Sequence, residues 1–154
     1  IIMIDFDDNR LAVSKTFGAT DTLNNKNEDA IAKLLSLTEN KGVDVAIDAV
    51  GVPATSELCQ SIVAPGGHIA NIGVHGKSAP LHLETLWSKN ITITTRLVDT
   101  VTTPMLMKTV TSEKIDATKL ITHHFKLKNI IEAYDTFQNA AINKTLKVIL
   151  TNED

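Results

Sequence analysis

Apolar residues in this chain fall into two alternating patterns: short β-branched runs, and stretches in which they recur every three or four positions. Ile1 to Phe6 is an apolar run and predicts a buried strand. Asp7-Asp8 then offers capping carboxylates for a helix from about Asn9 to Phe17, and Gly18 stands where a left-handed C-terminal cap belongs. Thr20 to Leu23 predicts a short second strand. Glu28 to Glu39 places Ile31, Leu34, Leu35 and Leu37 on helical spacing, closed by Asn40-Lys41-Gly42. Val43 to Val50 reads as the next strand, Gly51 ends it, and Pro53 suits the first turn of a helix to about Val63. Pro65-Gly66-Gly67 predicts a turn, His68 to Val74 a strand, Glu84 to Ser88 one helical turn, and Ile91 to Val98 a further strand.

Strands alternating with helices at this spacing predict parallel βαβ units with right-handed crossovers. The fold class is therefore α/β with a doubly wound parallel sheet. Beyond residue 98 the rhythm changes to a helix from about Pro104 to Ser112, a strand from Leu120 to Phe125, a helix from about Leu127 to Ala140 and a strand from Lys147 to Thr151. A boundary is expected near residue 98, with 1–98 as one domain and 99–154 as an appended segment that completes a different sheet. Because the chain opens directly on Ile1-Ile2-Met3-Ile4, with no polar lead-in, further residues are expected upstream.

Composition narrows the function. A chain of 154 residues with 43% hydrophobic content can bury one core. Net charge is −3, and the Lys and Arg residues are scattered rather than gathered into a stripe, which argues against a nucleic-acid partner. No apolar run approaches the roughly 18 residues of a membrane span, and no signal-peptide pattern is present, so a cytoplasmic location is expected. Cys59 is the only cysteine, which excludes an internal disulfide and a CxxC zinc pair.

Asp5 closes an apolar strand at the place where an open α/β sheet meets its ligand crevice. A carboxylate there can accept hydrogen bonds from both hydroxyls of an adenosine ribose and would repel a 2′-phosphate. It could equally join Asp7 and Asp8 in capping the next helix. The G-x-G-x-x-G phosphate loop occurs nowhere in the chain and is expected before Ile1. Ala49-Val50-Gly51 and Ile72-Gly73-Val74 end two successive strands with a glycine, which either lets a flat ring approach the backbone or only permits a turn. Adjacent His123 and His124 in a strand point to opposite faces, and His68, His75 and His82 have no Cys or carboxylate gathered beside them, so no zinc site is expected within the chain.

The ordered stretches Ile4-Asp5 with Arg10, Phe17-Gly18-Ala19-Thr20, Asp48-Ala49-Val50-Gly51, Pro65-Gly66-Gly67, Lys119-Leu120-Ile121-Thr122-His123 and Ala133-Tyr134-Asp135 resemble zinc-containing medium-chain alcohol dehydrogenases from about Ile1 to Leu150. The resemblance implies a Rossmann-like NAD-binding domain over 1–98 lacking its first strand and glycine loop, and a carboxyl-terminal segment of the catalytic domain over 99–154. It implies that Asp5 holds the adenosine ribose with Arg10 against it. Val50, Gly51, Gly73 and Val74 would flank the nicotinamide side, and Lys147 would lie near the cofactor pyrophosphate. For the intact parent it implies NAD-dependent oxidation of a small-molecule alcohol to an aldehyde or ketone, with zinc held by ligands outside this chain, in a homodimer or homotetramer. No catalytic residue is expected in the chain itself, and alone it should be inactive. The alternatives are a zinc-free quinone or enone reductase using NADPH, which Asp5 opposes, and a non-redox nucleotide-binding module, which the resemblance over Lys119 to Ile149 opposes.

Overall fold

The computed structural model describes residues 1–97 and 99–152; Val98, where the last strand of the first domain was expected to end, lies outside them. The chain gathers into two compact units, one of Ile1–Lys26 with Asp99–Asp154 and one of Asn27–Val98. The borders between these units fall between residues 26 and 27 and between residues 98 and 99. No helix among the described residues is long and apolar enough to cross a membrane.

In the first unit, β1 (Ile2–Asp5) runs parallel to β2 (Asp21–Asn24) with Ile2 opposite Asp21 and Asp5 opposite Asn24. Between them lies α1 (Asp8–Thr16), whose N-cap is Asp7 and whose end is marked by Gly18 at φ +98°. Leu11 and Leu23 are buried against each other's layer, which is how the helix covers the sheet. The expected buried character of β1 is only half realised. It has a single strand neighbour, and Ile1 and Met3 stay exposed. Later in the same unit come α5 (Thr103–Thr111), β6 (Ile121–Lys126), α6 (Ile130–Gln138), α7 (Ala140–Asn143) and β7 (Lys147–Thr151). β6 and β7 pair in parallel, and α6 packs on both, with Ala133 buried and Thr145 held by its hydroxyl to the Thr136 carbonyl at 3.3 Å. The helix expected over 127–140 is divided: a 3-10 turn precedes α6, and Asn139 separates α6 from α7.

The second unit holds α2 (Ala30–Leu37), β3 (Val43–Asp48), α3 (Pro53–Ile62), β4 (Val63–Asn71), α4 (Leu83–Leu86) and β5 (Thr92–Thr95), with strand order β3-β4-β5, all parallel. Asp29 caps α2 through the amides of Ile31 and Ala32, and Pro53 opens α3 as its position predicts. Pro65-Gly66-Gly67 is not a separate turn before a strand. It lies inside β4 as a bulge, because pairing passes from Val43↔Val63 directly to Val45↔His68. Two strands are shorter than their apolar runs. β3 stops at Asp48, where the Val50 and Gly51 amides turn back to the Asp48 carboxylate, and β4 stops at Asn71, after which the Ile72 and Gly73 amides both bond the Asp48 backbone carbonyl. β5 is exposed along all four residues and has one neighbour.

Gly42 joins α2 to β3 at φ +86°, and a Cβ there would meet the Ile62 carbonyl oxygen at 2.5 Å and the Ala64 nitrogen at 2.8 Å. Backbone cannot yield as a flexible side chain would. Gly42→Ala should therefore lower stability by about 2 kcal/mol or more, read as a lower urea midpoint at unchanged m-value.

Candidate functional site

Two clusters contain the residues singled out from the sequence, one in each compact unit. In the first, Asp5 ends β1 and its two carboxylate oxygens do different jobs. Oδ1 accepts the Asp7 amide at 2.9 Å, which holds the turn that sets Asp7 as the N-cap of α1; Asp7 Oδ1 in turn accepts the Asn9 amide at 2.8 Å. Oδ2 faces Arg10 Nη1 at 3.9 Å. The Asp5 side chain is 30% exposed. The capping role and a ribose role are thus compatible in one residue.

Arg10 is shared. Its Nε lies 3.9 Å from Asp7 Oδ2, and its side chain borders an open cavity of about 230 Å³ with Asp7, Val13, Lys119, Lys144 and Leu146. Lys147 follows Leu146 as the first residue of β7 and is exposed. Arg10, Lys119 and Lys144 bring three cations to this cavity, of which Arg10 faces Asp5 and Asp7 and Lys119 lies 4.0 Å from Asp116. Sequence reading named Arg10 and Lys147 but missed Lys119 and Lys144. Neither has a local signature: Lys119 lies in the 3-10 turn before β6 and Lys144 caps the end of α7, and they line one cavity with Arg10 only in the folded unit.

The second cluster is built on Asp48, the last residue of β3 and 2% exposed. Its Oδ1 accepts the amides of Val50 and Gly51, both at 3.0 Å, while its backbone carbonyl accepts those of Ile72 and Gly73, both at 2.9 Å. One residue thereby ties together the ends of two neighbouring strands. The glycines follow from that closeness: a Cβ on Gly73 would lie 2.2 Å from the Gly51 nitrogen, and one on Gly51 2.6 Å from the Val74 nitrogen. Space at each glycine is filled by the other strand end rather than left open to a ring. Val50 and Val74, by contrast, project into solvent, 62% and 83% exposed, and present an apolar surface at the carboxyl end of the sheet. Sequence reading named all four flanking residues and passed over Asp48, whose signal was an acidic residue inside an otherwise apolar strand.

Among the described residues, no three His, Cys, Asp or Glu side chains gather where they could hold one metal ion. His123 stacks on Phe125 across one face of β6 while His124 points away.

Residues 1–112 match the family described as zinc-binding dehydrogenase. The chain belongs to that family. It is 34% identical over 146 residues to an alcohol dehydrogenase of Cupriavidus necator, covering 90% of this chain and 39% of that protein. An NADP-dependent isopropanol dehydrogenase of Clostridium beijerinckii is 36% identical over 116 residues, covering 71% of this chain and 33% of the relative. Among solved structures, zinc dependent alcohol dehydrogenase 2 of Streptococcus pneumoniae, in its apo form, superposes with a TM-score of 0.91 at 49% identity, over 99% of this chain and 44% of the other. The chain thus spans about two fifths of the length of the relatives it matches.

Cys59, on α3, is 5% exposed. Burial pushes its thiol up to about 11, and the negative charge of Asp48 acts in the same direction. The folded thiol therefore keeps its proton where an unfolded one, near 9, has lost it. Between about pH 9 and 11 the unfolded state binds fewer protons, so stability falls as pH rises through this window. Cys59→Ala should remove that part of the alkaline loss, measured as the difference in urea midpoint between wild type and variant at pH 7 and pH 10.

Proposed function

We propose that this chain is the cofactor-binding portion of a zinc-dependent alcohol dehydrogenase that oxidises an alcohol to an aldehyde or ketone with NAD. Residues 1–98 supply the partial dinucleotide-binding domain and residues 99–154 the segment that returns to the catalytic domain. The carrying observation is Asp5: one carboxylate oxygen braces the turn after β1, and the other is left accessible beside Arg10. A ribose diol can donate to that oxygen, whereas a 2′-phosphate would meet it with like charge. Lys147 and its cationic neighbours supply charge for a pyrophosphate, and exposed Val50 and Val74 supply apolar surface for a nicotinamide ring. Bound NAD provides the hydride acceptor. No metal step is assigned to residues of this chain.

The cofactor choice is worth testing because a relative of similar identity is named as NADP-dependent. In the intact enzyme, Asp5→Gly should shift the ratio of kcat/KM for NAD over NADP toward NADP by about tenfold or more, the value of one or two charged hydrogen bonds. An unchanged ratio would leave Asp5 as a bracing residue only.

Assembly follows from β5, which exposes all four residues and keeps one edge unpaired, with Trp87 also exposed nearby in sequence. Such an edge calls for a partner. The intact enzyme should sediment as a homodimer or homotetramer at micromolar concentration, and a monomer would count against this reading.

A further inference from the structure

Asp48 Oδ2 is the one buried side-chain polar atom without a hydrogen bond among the described residues. An ionised oxygen so placed is costly unless a donor or positive charge faces it. The group that does so is His75, whose Nε2 lies 3.6 Å from Asp48 Oδ2 and 3.1 Å from Asn71 Oδ1. Asp48 and Asn71 are register partners at the ends of β3 and β4, so the imidazole spans the two strand ends. Both oxygens are acceptors, and only a hydrogen on Nε2 satisfies either. His75 follows Gly73-Val74 in the same turn, and Asp48 already binds the amides of Val50, Gly51, Ile72 and Gly73. The other titratable group acting on Asp48 is Cys59, which keeps its proton and brings no charge.

We propose that His75 and Asp48 form a positioning pair, in which the hydrogen on His75 Nε2, bound by Asn71 and set beside Asp48 Oδ2, holds the 72–76 turn against the end of β3. The pair thereby fixes Val50 and Val74 at the spacing on which a nicotinamide ring would lie. That last clause rests on the cofactor reading above; the pair itself does not. His75 touches no substrate in this role and acts through the backbone that Asp48 collects. Its partly exposed ring, 21% accessible in the side chain, can be altered without opening the core.

Two measurements test the pair and a third tests its purpose. Long-range ¹⁵N NMR of the His75 ring at neutral pH should report hydrogen on Nε2. Hydrogen exchange of the Gly51 and Gly73 amides should quicken on the order of tenfold in His75→Ala and stay within about threefold of wild type in His75→Gln, which retains a donor. Hydrogen on Nδ1 alone, or unchanged exchange in His75→Ala, overturns the pair. In the intact enzyme, His75→Ala should raise KM for the nicotinamide cofactor by about tenfold with a smaller change in kcat, and His75→Gln should restore most of it. Altered exchange with an unmoved KM would overturn the positioning role while leaving the pair standing. Failure of the Asp5 test with the exchange result intact would instead remove only the choice of NAD.

Discussion

A buried aspartate at the end of a central strand is the constraint on which this architecture turns. Asp48 uses two acceptors at once, Oδ1 for the Val50 and Gly51 amides and the backbone carbonyl for those of Ile72 and Gly73, while Oδ2 accepts no hydrogen bond and lies 3.6 Å from His75 Nε2. The carboxylate turns the Val50 and Gly51 amides back and so ends β3, while the backbone carbonyl of the same residue gathers the Ile72 and Gly73 amides where β4 ends. Closeness then forces glycine at 51 and 73, since either Cβ would enter the other's backbone. Even the inertness of Cys59 belongs partly to this charge. Polar groups in a core specify arrangement more than they stabilise it, and here the arrangement specified is the lip of the sheet.

The first unit works on the same economy with smaller means. Asp5 braces its turn with one oxygen and faces Arg10 with the other. β1 and β3 each have one strand neighbour, and Ile1, Met3, Val45 and Ile47 are exposed along them. The strand expected to be buried from the apolar run of residues 1–6 is therefore half-covered.

Most elements were legible from periodicity, which is a local property. Helix starts at Asp7, Asp29 and Pro53 and the left-handed stop at Gly18 need only neighbours within four residues, and they fall within one or two positions of where the pattern puts them. So did the parallel α/β class, because alternating periods and short connections leave few topologies. The same holds for Asp5 and Arg10, which share one strand-turn-helix.

What only the tertiary structure decided are relations across long stretches of chain. Pro65-Gly66-Gly67 reads as a turn in isolation, and becomes a bulge because β4 pairs with β3 on both sides of it. Lys119 and Lys144 gain meaning from a cavity shared with Arg10, more than a hundred positions away in the chain. Asp48 and His75 lie 27 positions apart and face each other because β3 and β4 are neighbours. A periodic pattern tells which face of an element is apolar, but the gathering of the Ile72 and Gly73 amides on the distant Asp48 carbonyl exists only once β3 and β4 lie side by side.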